Sequence, residues 1–199
     1  MSRHPLDAYD TPQALADAIV VRIASLRRDA GLLDPGNVLE PTAGGGAFVS
    51  AARLRWHTAA TNIVAVDIDP ARKVGLYTAG ATTVAITDIL TVPAVAISKA
   101  HLILGNPPYR QAEEILLHLL DAWTPAGATV AVLLPVGFLG SKGRHRAGGL
   151  FARFPLHYLA PIVPRPSFTA DGKTDRMEYA LFGWGVPRGI DAAITWEKS

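Results

Sequence analysis

The stretch Val38-Leu39-Glu40-Pro41-Thr42-Ala43-Gly44-Gly45-Gly46-Ala47-Phe48 decides how the rest of the chain is read. Val38 to Glu40 reads as a short strand, followed by a glycine-rich turn and a helix over Phe48 to Arg55. Glycines in the turn remove the Cβ atoms that would keep a ligand away from the backbone. The helix start that follows presents unpaired N–H groups to an anionic group. A strand that feeds a helix through such a turn is the repeating unit of an α/β sheet.

The alternation extends in both directions. Upstream, Thr11 reads as the N-cap and Pro12 as the first residue of a helix reaching Arg28, with Ala14, Leu15, Ala18, Ile19, Arg22 and Ile23 on one face. Downstream, Ile63 to Asp67 is a second strand, Asp69-Pro70 opens a helix, and Thr83 to Ile86 is a third strand followed by Asp88. His101 to Leu104 is a fourth strand, leading into Gly105-Asn106-Pro107-Pro108-Tyr109 and an amphipathic helix over Gln111 to Trp123. Thr129 to Leu134 is a fifth strand, and Glu178 to Trp184 a last one with a partner near His157 to Val163. Strand and helix alternate, then two strands pair. This predicts one α/β domain over 1–199 with a mostly parallel sheet and an antiparallel edge. Ligands of such sheets bind beyond the carboxyl ends of the strands, where each motif below falls.

Composition narrows the classes. The chain has 199 residues, 49% of them hydrophobic and 18% charged, which is globular and enough for a full core. The absence of cysteine excludes disulfides, thiolate metal sites and thiol nucleophiles, and fits a cytoplasmic protein. The six histidines are scattered without metal spacing, so no metal is expected. The start has no signal-peptide core, and the longest apolar run, Val130 to Leu139, contains Pro135 and Gly137 and is too short to span a bilayer. Trp123 and Trp184 are expected in the core, and Ser141 and Ser167 lack a nucleophile-elbow context.

Charge is uneven. Net charge is +2, yet Gly137 to Arg176 holds seven Lys or Arg against Asp171 and Asp175, leaving that segment at +5 and the remainder at −3. Two loops, within 137–149 and 165–176, are therefore candidates for contact with a polyanion such as DNA through Lys142, Arg144, Arg146, Arg165, Lys173 and Arg176. An ordinary solvated basic face is the alternative.

The glycine turn carries the candidate cofactor residues Glu40, Pro41, Thr42, Ala43, Gly44, Gly46 and Phe48. A dinucleotide reading is disfavoured, because Val49 stands where the third glycine of G-x-G-x-x-G would be. An acid before the turn, Glu40, suits a cofactor bearing positive ammonium and sulfonium groups better than a pyrophosphate. Asp67, 21 residues after Gly46 at a strand end, is placed to accept from ribose hydroxyls, and Asp88 from an adenine amino group.

Asn106-Pro107-Pro108-Tyr109 is the sharpest signal. Two prolines stiffen the loop and remove two N–H donors. The Asn106 oxygen and the Pro107 carbonyl can then accept both hydrogens of one amino group, while Tyr109 offers a face for a base. An aromatic amine is a poor nucleophile, since its lone pair is delocalised. Oriented acceptors stabilise the positive charge that develops on nitrogen, and in-line positioning supplies the rest. Neither a metal nor a strong base before attack is needed.

These residues resemble the class I adenine-specific DNA methyltransferases, whose activity uses S-adenosylmethionine. The resemblance implies a Rossmann-like fold with a seven-stranded sheet, helices on both faces and an antiparallel C-terminal strand. It implies that Tyr9, Thr11 and Pro12 enclose the methionine end of the cofactor, that Asp67-Ile68 binds its ribose, and that Asp88-Ile89 binds its adenine. It assigns catalysis to Asn106, Pro107, Pro108 and Tyr109, with Asn106 also at the cofactor, and a base-packing role to Phe168. The cofactor loop precedes the catalytic loop, which is the gamma-type order. Members of that type carry a separate recognition domain after the core, and no such domain fits in the 15 residues after Trp184. Recognition then falls to a very short site, to low selectivity, or to a second chain. Relatives with the same loop methylate RNA bases or a protein glutamine side chain, and these are the alternatives.

Overall fold

Leu102-Ile103-Leu104-Gly105 and Thr129-Val130-Ala131-Val132-Leu133-Leu134 are apolar on both faces, and both lie in the middle of the sheet. In the computed structural model, which describes residues 10–57, 61–123, 128–168 and 177–197, they are buried throughout. Strands that are covered on both sides read as continuous apolar runs because neither face meets water.

The described residues form nine strands: β1 (Asn37–Glu40), β2 (Asn62–Asp67), β3 (Thr83–Ile86), β4 (Leu102–Gly105), β5 (Thr129–Pro135), β6 (Tyr158–Val163), β7 (Tyr179–Trp184), β8 (Gly189–Ile190) and β9 (Ile194–Thr195). Their order is β3-β2-β1-β4-β5-β7-β6-β8, with β9 alongside β6. Strands β1 to β5 are parallel, and β7 runs antiparallel between β5 and β6. The expected seven strands are β1 to β7, and the sheet exceeds that number by two short strands. Both extra strands come from the segment after Trp184, which turns back along β6. It is tied there by an Arg22–Asp191 ion pair, a Tyr158 hydroxyl donating to Asp191 at 3.0 Å, and Trp196 Nε1 donating to the Pro164 carbonyl at 2.8 Å.

Among the described residues seven helices cover the sheet: α1 (Gln13–Asp29), α2 (Ala47–Arg55), α3 (Lys73–Thr78), α4 (Ala94–Ile97), α5 (Ala112–Ala122), α6 (Lys142–His145) and α7 (Leu150–Arg153). Alternate strand residues face opposite sides, so the core has two halves. Val38, Ile63, Leu102, Leu104 and Leu133 pack with Leu15, Ile19 and Ile23 of α1 and Phe48 of α2. Leu39, Ile103, Val130, Val132 and Leu134 pack with Ile115, Leu116, Leu119 and Leu120 of α5. Trp184 is fully buried, whereas Trp123 is half-buried.

Helix α1 starts later than the sequence suggests. Pro12 is the N-cap, and its carbonyl accepts from the Leu15 and Ala16 amides at 3.1 Å each. Thr11 does not cap it, because its hydroxyl faces Asn106 instead. Asp69-Pro70 opens a 3-10 turn over Pro70–Arg72 that passes into α3, with the Asp69 side chain accepting from the Ala71 amide. Because β1 to β4 are parallel, their carboxyl ends bring Glu40, Asp67, Asp88 and Asn106 to one edge.

Candidate active site

The turn after β1 is shaped by two glycines with positive φ, Gly44 at 51° and Gly46 at 82°. A left-handed backbone is cheap only without a Cβ. A Cβ on Gly46 would also lie 3.0 Å from Ala79 Cβ and 3.1 Å from Leu76 Cδ2. The Ala43 amide donates to the Val66 carbonyl at 2.8 Å, which binds the turn to the end of β2. Gly44 N–H donates to Asp67 Oδ2 at 2.7 Å, and Asp69 N–H to Asp67 Oδ1 at 2.8 Å. The Asp67 carboxylate is thus held in one orientation at the strand end. Asp88 accepts from the Leu90 amide at 3.0 Å and starts a 3-10 turn in the same way.

Glu40 is 2% exposed at the end of β1, on the floor of the cleft. Burial pushes its carboxyl well above the usual range, a backbone hydrogen bond from Val49 opposes this, and the charge of Asp67 adds to it. Among the described residues its Oε2 has no hydrogen-bond partner, and neither do the buried Thr42 Oγ1 and Asn106 Oδ1. Buried polar atoms are rarely left unpaired. These three, on two adjoining recesses, mark the place where a polar ligand would complete the bonding.

Asn106 follows β4 directly. Its Nδ2 donates to Thr11 Oγ1 at 3.3 Å. The Pro108 carbonyl accepts from the Gln111 amide at 3.0 Å, closing the turn into α5. Tyr109 lies 5.8 Å from the ring of Tyr179, and Phe168 meets Tyr179 edge-on at 5.0 Å. Tyr179 on β7 therefore brings Phe168 into one aromatic group with Tyr109.

Most of the residues read as cofactor-binding line the cleft together: Thr11, Glu40, Pro41, Thr42, Ala43, Gly44, Phe48, Asp67, Ile68, Asp88, Ile89 and Asn106. Pro107, Pro108 and Tyr109 line it as well. Pro12 and Gly46 shape neighbouring backbone and do not line it. Tyr9, Lys173 and Arg176 lie outside the described residues. The cleft also contains residues that the sequence reading did not single out as site residues, among them Asp10, Asp69, Arg72, Thr87, Gln111 and Ile115. Asp10 sits inside the Tyr9 to Pro12 element, so adjacency pointed to it. Its Oδ1 accepts from Gly45 N–H at 2.9 Å and its Oδ2 from Arg72 at 3.2 Å. No signal in the sequence singled out Arg72.

The basic residues divide. Lys142, Arg146 and Arg165 are exposed. Arg144 is turned inward: its guanidinium stacks on the Phe138 ring at 3.7 Å, donates to the Phe138 carbonyl at 2.9 Å and pairs with Glu113 at 3.0 Å. Among the described residues no group of three potential ligands could hold a metal, and no helix is long and apolar enough to cross a membrane.

No family model matches the chain, and no curated protein matches it. Solved structures do. A type I restriction-modification system methyltransferase subunit from Streptococcus thermophilus superposes with a TM-score of 0.64 at 15% identity, covering 92% of this chain and 47% of that one. A modification subunit of a type I restriction enzyme from Vibrio vulnificus gives 0.63 at 16%, covering 93% and 47%. An RNA methyltransferase from Salinibacter ruber, in complex with S-adenosyl-L-homocysteine, gives 0.51 at 16%, covering 93% and 98%. The fold is the Rossmann-like methyltransferase fold. The chain spans just under half the length of the two type I subunits it matches and nearly all of the RNA methyltransferase.

Proposed function

We propose that this chain transfers a methyl group from S-adenosylmethionine to the exocyclic amino group of adenine in DNA. The observation that carries the proposal is the convergence, on one cleft at the carboxyl ends of β1 and β4, of three buried polar atoms without a partner among the described residues: Glu40 Oε2, Thr42 Oγ1 and Asn106 Oδ1. These residues fit the cofactor. Glu40 suits its ammonium end, the oriented Asp67 carboxylate its ribose, and Asp88 with Ile68 and Ile89 its adenine. When bound, the cofactor supplies a methyl group activated by a sulfonium leaving group.

The chain's own residues do the rest. Asn106 Oδ1 and the Pro107 carbonyl accept the two amino hydrogens and so fix the orientation of the nitrogen. The same acceptors stabilise positive charge as it develops on that nitrogen. Tyr109 stacks on the base, with Tyr179 and Phe168 behind it. The base must leave the duplex to reach this loop. Lys142, Arg146 and Arg165 pair with phosphates, which positions the strand without reading its sequence. Sequence recognition by a separate partner chain belongs to the same proposal, since two of the structural neighbours are subunits of type I systems.

One observation favours a second reading, methylation of RNA. The RNA methyltransferase neighbour matches this chain over nearly the full length of both. The catalytic loop addresses the amino group and not the sugar, so either nucleic acid meets its chemical demand. Incubation with labelled S-adenosylmethionine and unmethylated DNA or RNA, followed by mass analysis of the nucleosides, separates the readings. Methyladenine in DNA that disappears in Asn106→Ala supports the first. Label confined to RNA replaces it with the second, and no label in either overturns both.

A further inference from the structure

Two consecutive residues ahead of α1, Asp10 and Thr11, connect to three loops of the site. Asp10 binds the glycine turn through Gly45 N–H and the loop after β2 through Arg72. Thr11 binds the catalytic loop through Asn106. The residues on either side are anchored, Asp10 by its side chain and Pro12 by its carbonyl at the start of α1. Thr11 Oγ1 is therefore held beside the Asn106 amide, where it accepts from Nδ2.

A primary amide has an acceptor end and a donor end of nearly the same shape, exchanged by a half-turn of the side chain. At the reacting amino group the two ends have opposite effects. The oxygen accepts an amino hydrogen, whereas the reversed amide sets N–H groups against N–H groups. Here Nδ2 is engaged at 3.3 Å by Thr11 Oγ1, and Oδ1 is buried with no partner among the described residues.

We infer that Thr11 is a positioning residue for Asn106: its hydroxyl oxygen holds the amide nitrogen and so keeps the amide oxygen turned toward the amino group of the substrate. Its catalytic consequence rests on the amino-methylation proposed above; its effect on the amide does not. Valine has the shape of threonine and no acceptor, so it leaves the Asn106 amide free to turn. Serine keeps the acceptor.

The test compares wild type, Thr11→Val and Thr11→Ser in single-turnover methyl transfer to unmethylated DNA and RNA. S-adenosyl-L-homocysteine affinity is measured beside it. The Asn106 side-chain NH2 signals are recorded by NMR and assigned with Asn106→Ala. Thr11→Val is expected to slow transfer by roughly 10- to 100-fold, in line with loss of orientation at a reacting group. Thr11→Ser is expected to return to within about threefold of wild type, since the hydrogen bond is retained. The NH2 signals should shift and exchange faster with water in Thr11→Val alone. A Thr11→Val enzyme as fast as wild type, or a Thr11→Ser enzyme as slow as Thr11→Val, overturns the inference. If wild type methylates no nucleic acid, the proposed function falls, and the NMR arm decides this inference separately. Identical Asn106 signals in wild type and Thr11→Val then overturn it, and a change reversed by serine upholds it.

Discussion

Asp67 Oδ2 accepts the Gly44 N–H at 2.7 Å, so the acid that ends β2 holds the turn that ends β1. The bond joins two parallel neighbours at their carboxyl ends and sets both the turn and the carboxylate. Asp67→Ala removes the turn's anchor and, under the proposed function, the ribose acceptor with it. S-adenosyl-L-homocysteine binding, measured calorimetrically, is expected to weaken by about 1.5–3 kcal/mol, roughly 10- to 150-fold. Unchanged affinity would remove Asp67 from the cofactor site.

The burial of Glu40 sets a pH dependence. Its carboxyl is raised in the folded protein, first by burial and further by Asp67, so between the ordinary value and the folded value the native state holds a proton that the unfolded chain has released. Without ligand, stability is therefore fully present below the ordinary carboxylate range. It falls as pH rises from 4.5 to the folded value. Glu40→Gln should flatten that decline in thermal melts. A cationic ligand beside Glu40 favours its ionised form, so binding of S-adenosyl-L-homocysteine should release protons and tighten over the same window. Calorimetry in buffers of different ionisation enthalpy detects the release. Equal proton release from wild type and Glu40→Gln would show that Glu40 does not face the cation.

Arg27 gives a contrast far from the cleft. Its buried guanidinium donates to the His101 carbonyl at 2.9 Å, to Thr129 Oγ1 at 2.8 Å and to the Leu33 carbonyl at 2.8 Å, holding the starts of β4 and β5 to α1. Arg27→Ala removes these three hydrogen bonds together and is expected to cost about 2–4 kcal/mol in denaturant unfolding. The folded fraction should keep its cofactor affinity within about twofold, because separated sites act independently. A large affinity loss would show that the two ends of the sheet are coupled.

Two arginines in the basic loop should behave differently. Arg146 is exposed, and Arg146→Ala should reduce the slope of log K against log salt for duplex DNA by about 0.9, the value of one phosphate contact. Arg144 is docked on Phe138 and Glu113. Arg144→Ala should leave that slope unchanged and instead speed amide hydrogen exchange over 136–149. Equal slope changes in both variants would place Arg144 on DNA.

Much of the sheet was legible because burial on both faces leaves a local mark. The apolar runs at Leu102 and Val130 identify central strands, and glycine or proline punctuates their exits. The candidate site was legible to the extent that its parts are contiguous, as in Glu40 to Phe48 and Asn106 to Tyr109. The start of α1 was misread because Thr11 looks like an N-cap locally, while its oxygen is taken by Asn106, which follows it by 95 positions. Arg144 and Arg146 are two residues apart and chemically alike, so nothing local separates the docked side chain from the exposed one. The strands β8 and β9 are two residues each, too short for any period to show.

The sequence by itself determined the strand-turn-helix order, the apolar runs that select the central strands, and the residue types at each strand end. These depend on neighbours in the chain, where steric preference and hydrophobic period act. Tertiary structure alone decided that four strand ends meet, that Asp10 and Thr11 close over them, and that Glu40 loses water. Such features depend on which distant groups become neighbours once the parallel sheet forms, and hydrogen bonding and desolvation act only at that range.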